Sequence, residues 1–131
     1  MRRARQGIGL VQTDPSAAGP DPQILLISQP YRAGSLAGPD NGYAIGFSAV
    51  TPASPGTVRL ASPDPSAGPL IDPDYLGDER NVAVMTEGLR IARLIGSRDA
   101  LAGVRGDEAQ PGAGASTTQA PAESALTICR S

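Results

Sequence analysis

Apolar residues along this chain fall into short runs set between proline- and glycine-rich loops, plus one longer stretch at helical spacing. Residues 23–31 begin with the continuous run Ile24-Leu25-Leu26-Ile27 and stop at Pro30, which suits a buried strand. After a loop holding Gly34, Gly38, Pro39 and the turn pair Asn41-Gly42, Tyr43, Ile45, Phe47 and Ala49 alternate with small residues. That period of two predicts a second strand with one apolar face. A turn at Pro55-Gly56 then opens a third strand over 57–61. With nothing helical between them, the three strands are expected to pair antiparallel. The prolines at 63, 65, 69 and 73 forbid a helix and predict a rigid, turning connector.

The helical stretch runs from Asp78 to Ile95. Asp78 suits the cap, Glu79 suits the positive end of the helix dipole, and Val82, Met85, Leu89, Ala92 and Ile95 form one stripe. Arg90 and Arg93 fall off that stripe, toward solvent. Gly88 weakens a helix interior by up to about 1 kcal/mol relative to alanine, so it predicts close packing on the sheet. Gly96-Ser97 ends the helix, and residues 99–104 predict a second, short one. From Pro111 the chain turns small and polar, without apolar periodicity, and reads as a flexible tail. Residues 125–129 are either a short strand or merely an end. The expected fold class is α+β: a mainly antiparallel sheet packed against one long and one short helix, loop-rich, with residues 1–110 as the folded part and 111–131 as a flexible or degraded tail.

Composition narrows this further. A length of 131 residues favours one domain. The hydrophobic share is 40%, with one Phe, three Tyr and no Trp against 16 Gly and 13 Pro, so the core must rest on aliphatic side chains and is small. A net charge of −2 provides no positive field for nucleic acid. Arg2, Arg3 and Arg5 form a solvated start rather than a binding arm or a signal peptide, since no apolar run follows. No stretch approaches the ~20 apolar residues of a membrane span. The single cysteine, Cys129, excludes an internal disulfide and fits a reduced, cytoplasmic setting.

Candidate chemistry is sparse. Gly7-Ile8-Gly9 resembles the start of a dinucleotide-binding turn, but position 12 is Gln and no helix is expected after it. Asp64, Asp72 and Asp74 sit among prolines, where turn formation explains them better than a metal site. Tyr75 and Leu76 are expected to anchor the connector in the core.

Three segments carry a family resemblance. Ser54 to Pro65 follows the pattern S-x-G-x-V-x-L-x-S-x-D-P, Pro69 to Leu76 follows P-x-I-D-P-x-Y-L, and Gly88-Leu89 with Arg93 follows G-L-x-x-x-R. In this order they resemble the C-terminal, substrate-binding part of the GMC (glucose–methanol–choline) flavoprotein oxidoreductases, clearly over about residues 50–112. The sequence departs from the family at Pro55, where a basic residue is common, and at Asn81, where an acidic one is.

The resemblance implies FAD as cofactor, a small alcohol as substrate, and a flavin-binding segment as partner. In that family, hydride transfer from the alcohol needs a base, a histidine within a segment like H-P-V-G-T-C. This chain contains no histidine. Laying Cys129 on the family cysteine puts Ser124 where the histidine belongs, with Thr127 and Ile128 in place of Gly-Thr. A serine hydroxyl without an adjacent base cannot take a proton near neutrality. Neither Ser124 nor Cys129 is therefore expected to be catalytic, and the tail is expected to be truncated, degraded or frame-shifted. No catalytic, cofactor-binding or metal residue is assigned. Two readings remain: a fragment of a GMC substrate domain, inactive alone, or a non-catalytic binding module that kept the fold and lost the site.

Overall fold

The computed structural model describes residues 6–30, 39–112, 114 and 125–129, the last five as backbone. Strands β1 (Gln6–Leu10), β2 (Pro22–Ile27), β3 (Gly42–Ala49), β6 (Glu108–Gln110) and β7 (Ala125–Cys129) form one antiparallel sheet in the order β1-β2-β3-β7-β6. Strands β4 (Thr57–Arg59) and β5 (Leu70–Asp72) form a separate two-stranded ribbon. Helix α1 (Glu79–Gly96) packs on the sheet, and a short 3-10 helix (Asp99–Val104) follows it. The α+β class expected from the sequence is the observed one.

The core lies between α1 and one face of the sheet. The register pairs Ile24 with Phe47 and Leu26 with Ile45, so alternate residues of β2 and β3 point together toward the helix. Ile24, Tyr43, Ile45 and Phe47 meet Leu89 and Ala92 of α1 in one buried cluster, edged by Val11, Met85 and Ile95. Asp78 caps the helix as expected, its carboxylate accepting from the Arg80 N–H at 2.8 Å. Gly88 is buried where the helix comes closest to the sheet. A Cβ placed there would lie 3.0 Å from Cδ2 of Phe47 and 3.1 Å from its Cβ.

Several expectations are corrected. Residues 57–59 do not join the main sheet; their partners are residues 70–72, which the prolines had suggested were connector. A short ribbon pairs locally, and proline at its flanks leaves three residues free to ladder. Gln6–Leu10 is a strand, paired in full with β2, although its glycines and short length hid it. Arg93 does not reach into solvent. It forms a half-buried, two-pronged pair with Glu108 at 2.8 and 3.1 Å, joining the last turns of α1 to β6. The predicted flexible tail lies largely outside the described residues, but 125–129 is a strand, lying between β3 and β6.

Gly88→Ala tests the helix–sheet contact. Alanine gains about 1 kcal/mol of helix propensity, but Phe47 is buried and must move by a few tenths of an ångström. Overpacking of this kind costs about 1–3 kcal/mol, so thermal melts should show a net loss.

Candidate functional site

Two surfaces remain after the core is assigned. The first is the sheet face opposite α1. There β3 presents Gly42, Ala44 and Gly46, a row of buried small residues, beside half-buried Leu25 and Ile27 of β2. Ile8 and Leu10 of β1 continue the face and are exposed at its edge. Ala44 is 0% exposed, so the middle of this face is covered and only its β1 edge is open. The polar side chains that its β1–β3 strands place on that face are Gln6, Gln23 and Ser48, none of which moves a proton near neutrality.

The second surface surrounds Asn81, in the first turn of α1. Its side chain is 3% exposed. Its carbonyl oxygen accepts from the Ala53 N–H at 2.7 Å, and its amide nitrogen donates to the Ser54 hydroxyl at 2.6 Å and to the Tyr75 carbonyl at 2.9 Å. The Ser54 hydroxyl in turn donates to the Asp74 carbonyl at 2.6 Å. One amide thus ties both ends of the ribbon segment to the helix. A carboxylate at 81 would accept only, and would lose the bond to Tyr75. Asp74 turns the chain there with φ 47, a left-handed value that aspartate tolerates better than most residues. At the other end, a Cβ on Gly56 would sit 2.7 Å from the Asp72 carbonyl oxygen and 2.8 Å from Cα of Pro73. Only glycine permits that backbone approach.

The residues singled out in the sequence do not converge. Asp64 forms an exposed turn with Ser66, whose N–H and hydroxyl both donate to it and hold its carboxyl below the usual range. Asp14 makes the same turn with Ser16, so one tetrapeptide, Asp-Pro-Ser-Ala, folds alike twice. Asp72 accepts from the N–H of Asp74. Among the described residues no three His, Cys, Asp or Glu side chains are placed to hold a metal. Tyr75 and Leu76 are exposed rather than anchored in the core, Tyr75 at 69%, because its carbonyl, not its ring, makes the attachment. Ser124 lies outside the described residues, and Cys129 stands opposite Gly42 in the β3–β7 register. Asn81 was visible in the sequence only as a departure from the family pattern, since a lone polar residue on a helix does not announce burial.

The described residues do not fit FAD. Gly7 and Gly9 lie in β1, paired to β2, with a turn rather than a helix after them. The N-terminus of α1 is closed by Asp78, whose carboxyl is held at about 2 by hydrogen bonds from the Arg80 side chain and backbone, and Glu79 follows. A pyrophosphate would meet negative charge there, not free N–H groups. No helix among the described residues is long and apolar enough to cross a membrane.

Asn81→Ala should strand the Ala53 N–H and Tyr75 carbonyl, lowering stability by about 1–3 kcal/mol. The cut should be local: proteolysis at 53–76 should speed up in this variant more than cleavage elsewhere, whereas Asn81→Asp should fall between it and the parent.

The family model described as GMC oxidoreductase, in its C-terminal part, matches residues 52–130. A GMC-type oxidoreductase of Mycobacterium tuberculosis is 33% identical over 127 residues, 95% of this chain and 24% of that protein. The mitochondrial choline dehydrogenase of Mus musculus is 32% identical over 105 residues, 79% of this chain and 18% of that protein. Pyranose dehydrogenase 2 of Leucoagaricus meleagris is 36% identical over 87 residues, 64% and 14%. The chain therefore spans about a quarter or less of these relatives' length. With the ribbon, its proline-rich loop and α1 all inside the matched region, the chain belongs to the GMC oxidoreductase family.

Proposed function

We propose that this chain is part of the substrate-binding, C-terminal domain of a FAD-dependent GMC oxidoreductase that acts on CH–OH donors, and that it has no activity alone. The observation that carries the reading is the similarity over 95% of the chain to a GMC-type oxidoreductase about four times as long. The relatives named choline dehydrogenase and pyranose dehydrogenase act on alcohols by their names, and the same donor class is proposed here.

The chain's own residues are read as binding and positioning groups. FAD would be held by a flavin-binding segment outside this chain, since the described residues do not fit it. The full sequence has no histidine to take the alcohol proton. A base must then come from that same segment, or the chain is the non-catalytic module that the second reading describes. The absence of histidine is the observation favouring that second reading. A reduced, cytoplasmic setting is proposed with either, on the single cysteine.

The purified chain, mixed with FAD, an artificial electron acceptor and choline or a pyranose, should neither retain flavin on gel filtration nor reduce the acceptor. Turnover of any alcohol would overturn the proposal.

A further inference from the structure

Among the described residues the β4–β5 ribbon packs on no other strand or helix beyond its own pairing. Val58 stands directly across from Ile71, and Leu60 lies two residues on from Val58. These side chains are 71%, 67% and 86% exposed, while Leu70, opposite Arg59, is exposed on the other face. Scattered exposed leucines are ordinary, but a contiguous apolar patch on a projecting element marks a contact surface. A two-stranded ribbon is also marginal in water without a third partner. Yet its root is held with care: the buried Asn81 amide fixes residues 53, 54 and 75, and the Gly56 backbone lies against Asp72 and Pro73. An element fixed at its base and apolar at its tip is built to be covered.

We propose that the Val58–Leu60–Ile71 face of the ribbon docks on the flavin-binding portion of a GMC oxidoreductase polypeptide, an inference that rests on the functional reading above. Two observations favour that occupant. The family match begins at residue 52, at the root of the ribbon, so the arm belongs to the shared architecture rather than to this chain alone. In the mycobacterial relative about three quarters of the polypeptide lies outside the matched segment and is available as a partner surface. Both signs of charge flank the ribbon, Arg59 against Asp64 and Asp72, so the apolar face rather than a charged field sets the contact.

The test is co-expression of the full chain with the mycobacterial GMC-type oxidoreductase lacking the segment that corresponds to it. The parent chain should co-purify with that protein, and the double variant Leu60→Asp, Ile71→Asp should reduce co-purification by about ten-fold or more. Ser16→Ala, in the exposed turn made with Asp14, should leave it unchanged. Because the ribbon side chains are exposed, the double variant should melt as the parent does; a large fall in its melting temperature would show the ribbon packing on the core and overturn the inference. Equal co-purification of parent and double variant, or none by the parent, would also overturn it. So would sedimentation showing a dimer of the chain alone that the double variant abolishes, since a second copy would then be the occupant. Turnover by the isolated chain sinks the functional reading instead and leaves these outcomes legible.

Discussion

The close approach of Gly88 to the ring of Phe47 is the contact on which the rest of the structure rests. It lets the backbone of α1 come down onto β3, and so brings Leu89 and Ala92 into the same layer as Ile24, Tyr43 and Ile45. A chain with one Phe and no Trp has few ways to fill a core. Bringing the helix closer is one: it removes volume that larger side chains would otherwise have to fill. The compact layer that results is paid out of a single glycine, and its neighbours inherit the constraint. The Arg93–Glu108 pair and the Asp78 cap hold the two ends of α1 while its middle is fixed by packing.

From that layer outward, polar groups rather than apolar ones make the connections. Asn81 reaches from the helix to the loop before β4, 27 and 28 positions earlier, and to the turn after β5. A buried amide with its donors and acceptor all engaged specifies one arrangement more sharply than an apolar side chain of the same size would. The consequence is a ribbon whose position is defined while its side chains remain exposed. The sheet face opposite α1 has a similar character, small in the middle and apolar at its β1 edge.

How much of this was legible in the sequence follows from the range of each interaction. Helix α1 was read to within a residue at each end, because its cap, stripe and terminating glycine are all local signals. Gly88 was read as a packing position for the same reason. Strands β2 and β3 showed their apolar runs. By contrast β1 is Gln-Gly-Ile-Gly-Leu, too short and glycine-rich to show a period, and it is a strand only because β2 lies beside it. The place of β7 beside β3 depends on pairing across 79 to 87 positions of sequence, which no local pattern encodes. The ribbon was half legible: the alternation of β4 was plain, but its partner was hidden among prolines. The family resemblance was legible from the spacing of three motifs. Asn81 was not legible as a clamp, since the groups it satisfies are backbone atoms and a serine hydroxyl, whose arrangement exists only in the folded chain.

The central claim is that one small core, between α1 and strands β2 and β3, holds this chain together, and that the ribbon is positioned by it without being stabilised by packing of its own. Amide hydrogen exchange of the isolated chain, resolved by residue, tests this most directly. Slow exchange should be confined to β2, β3 and residues 85–96, with the amides of 57–59 and 70–72 exchanging far faster. Equal protection of the ribbon and the core in the lone chain would contradict it.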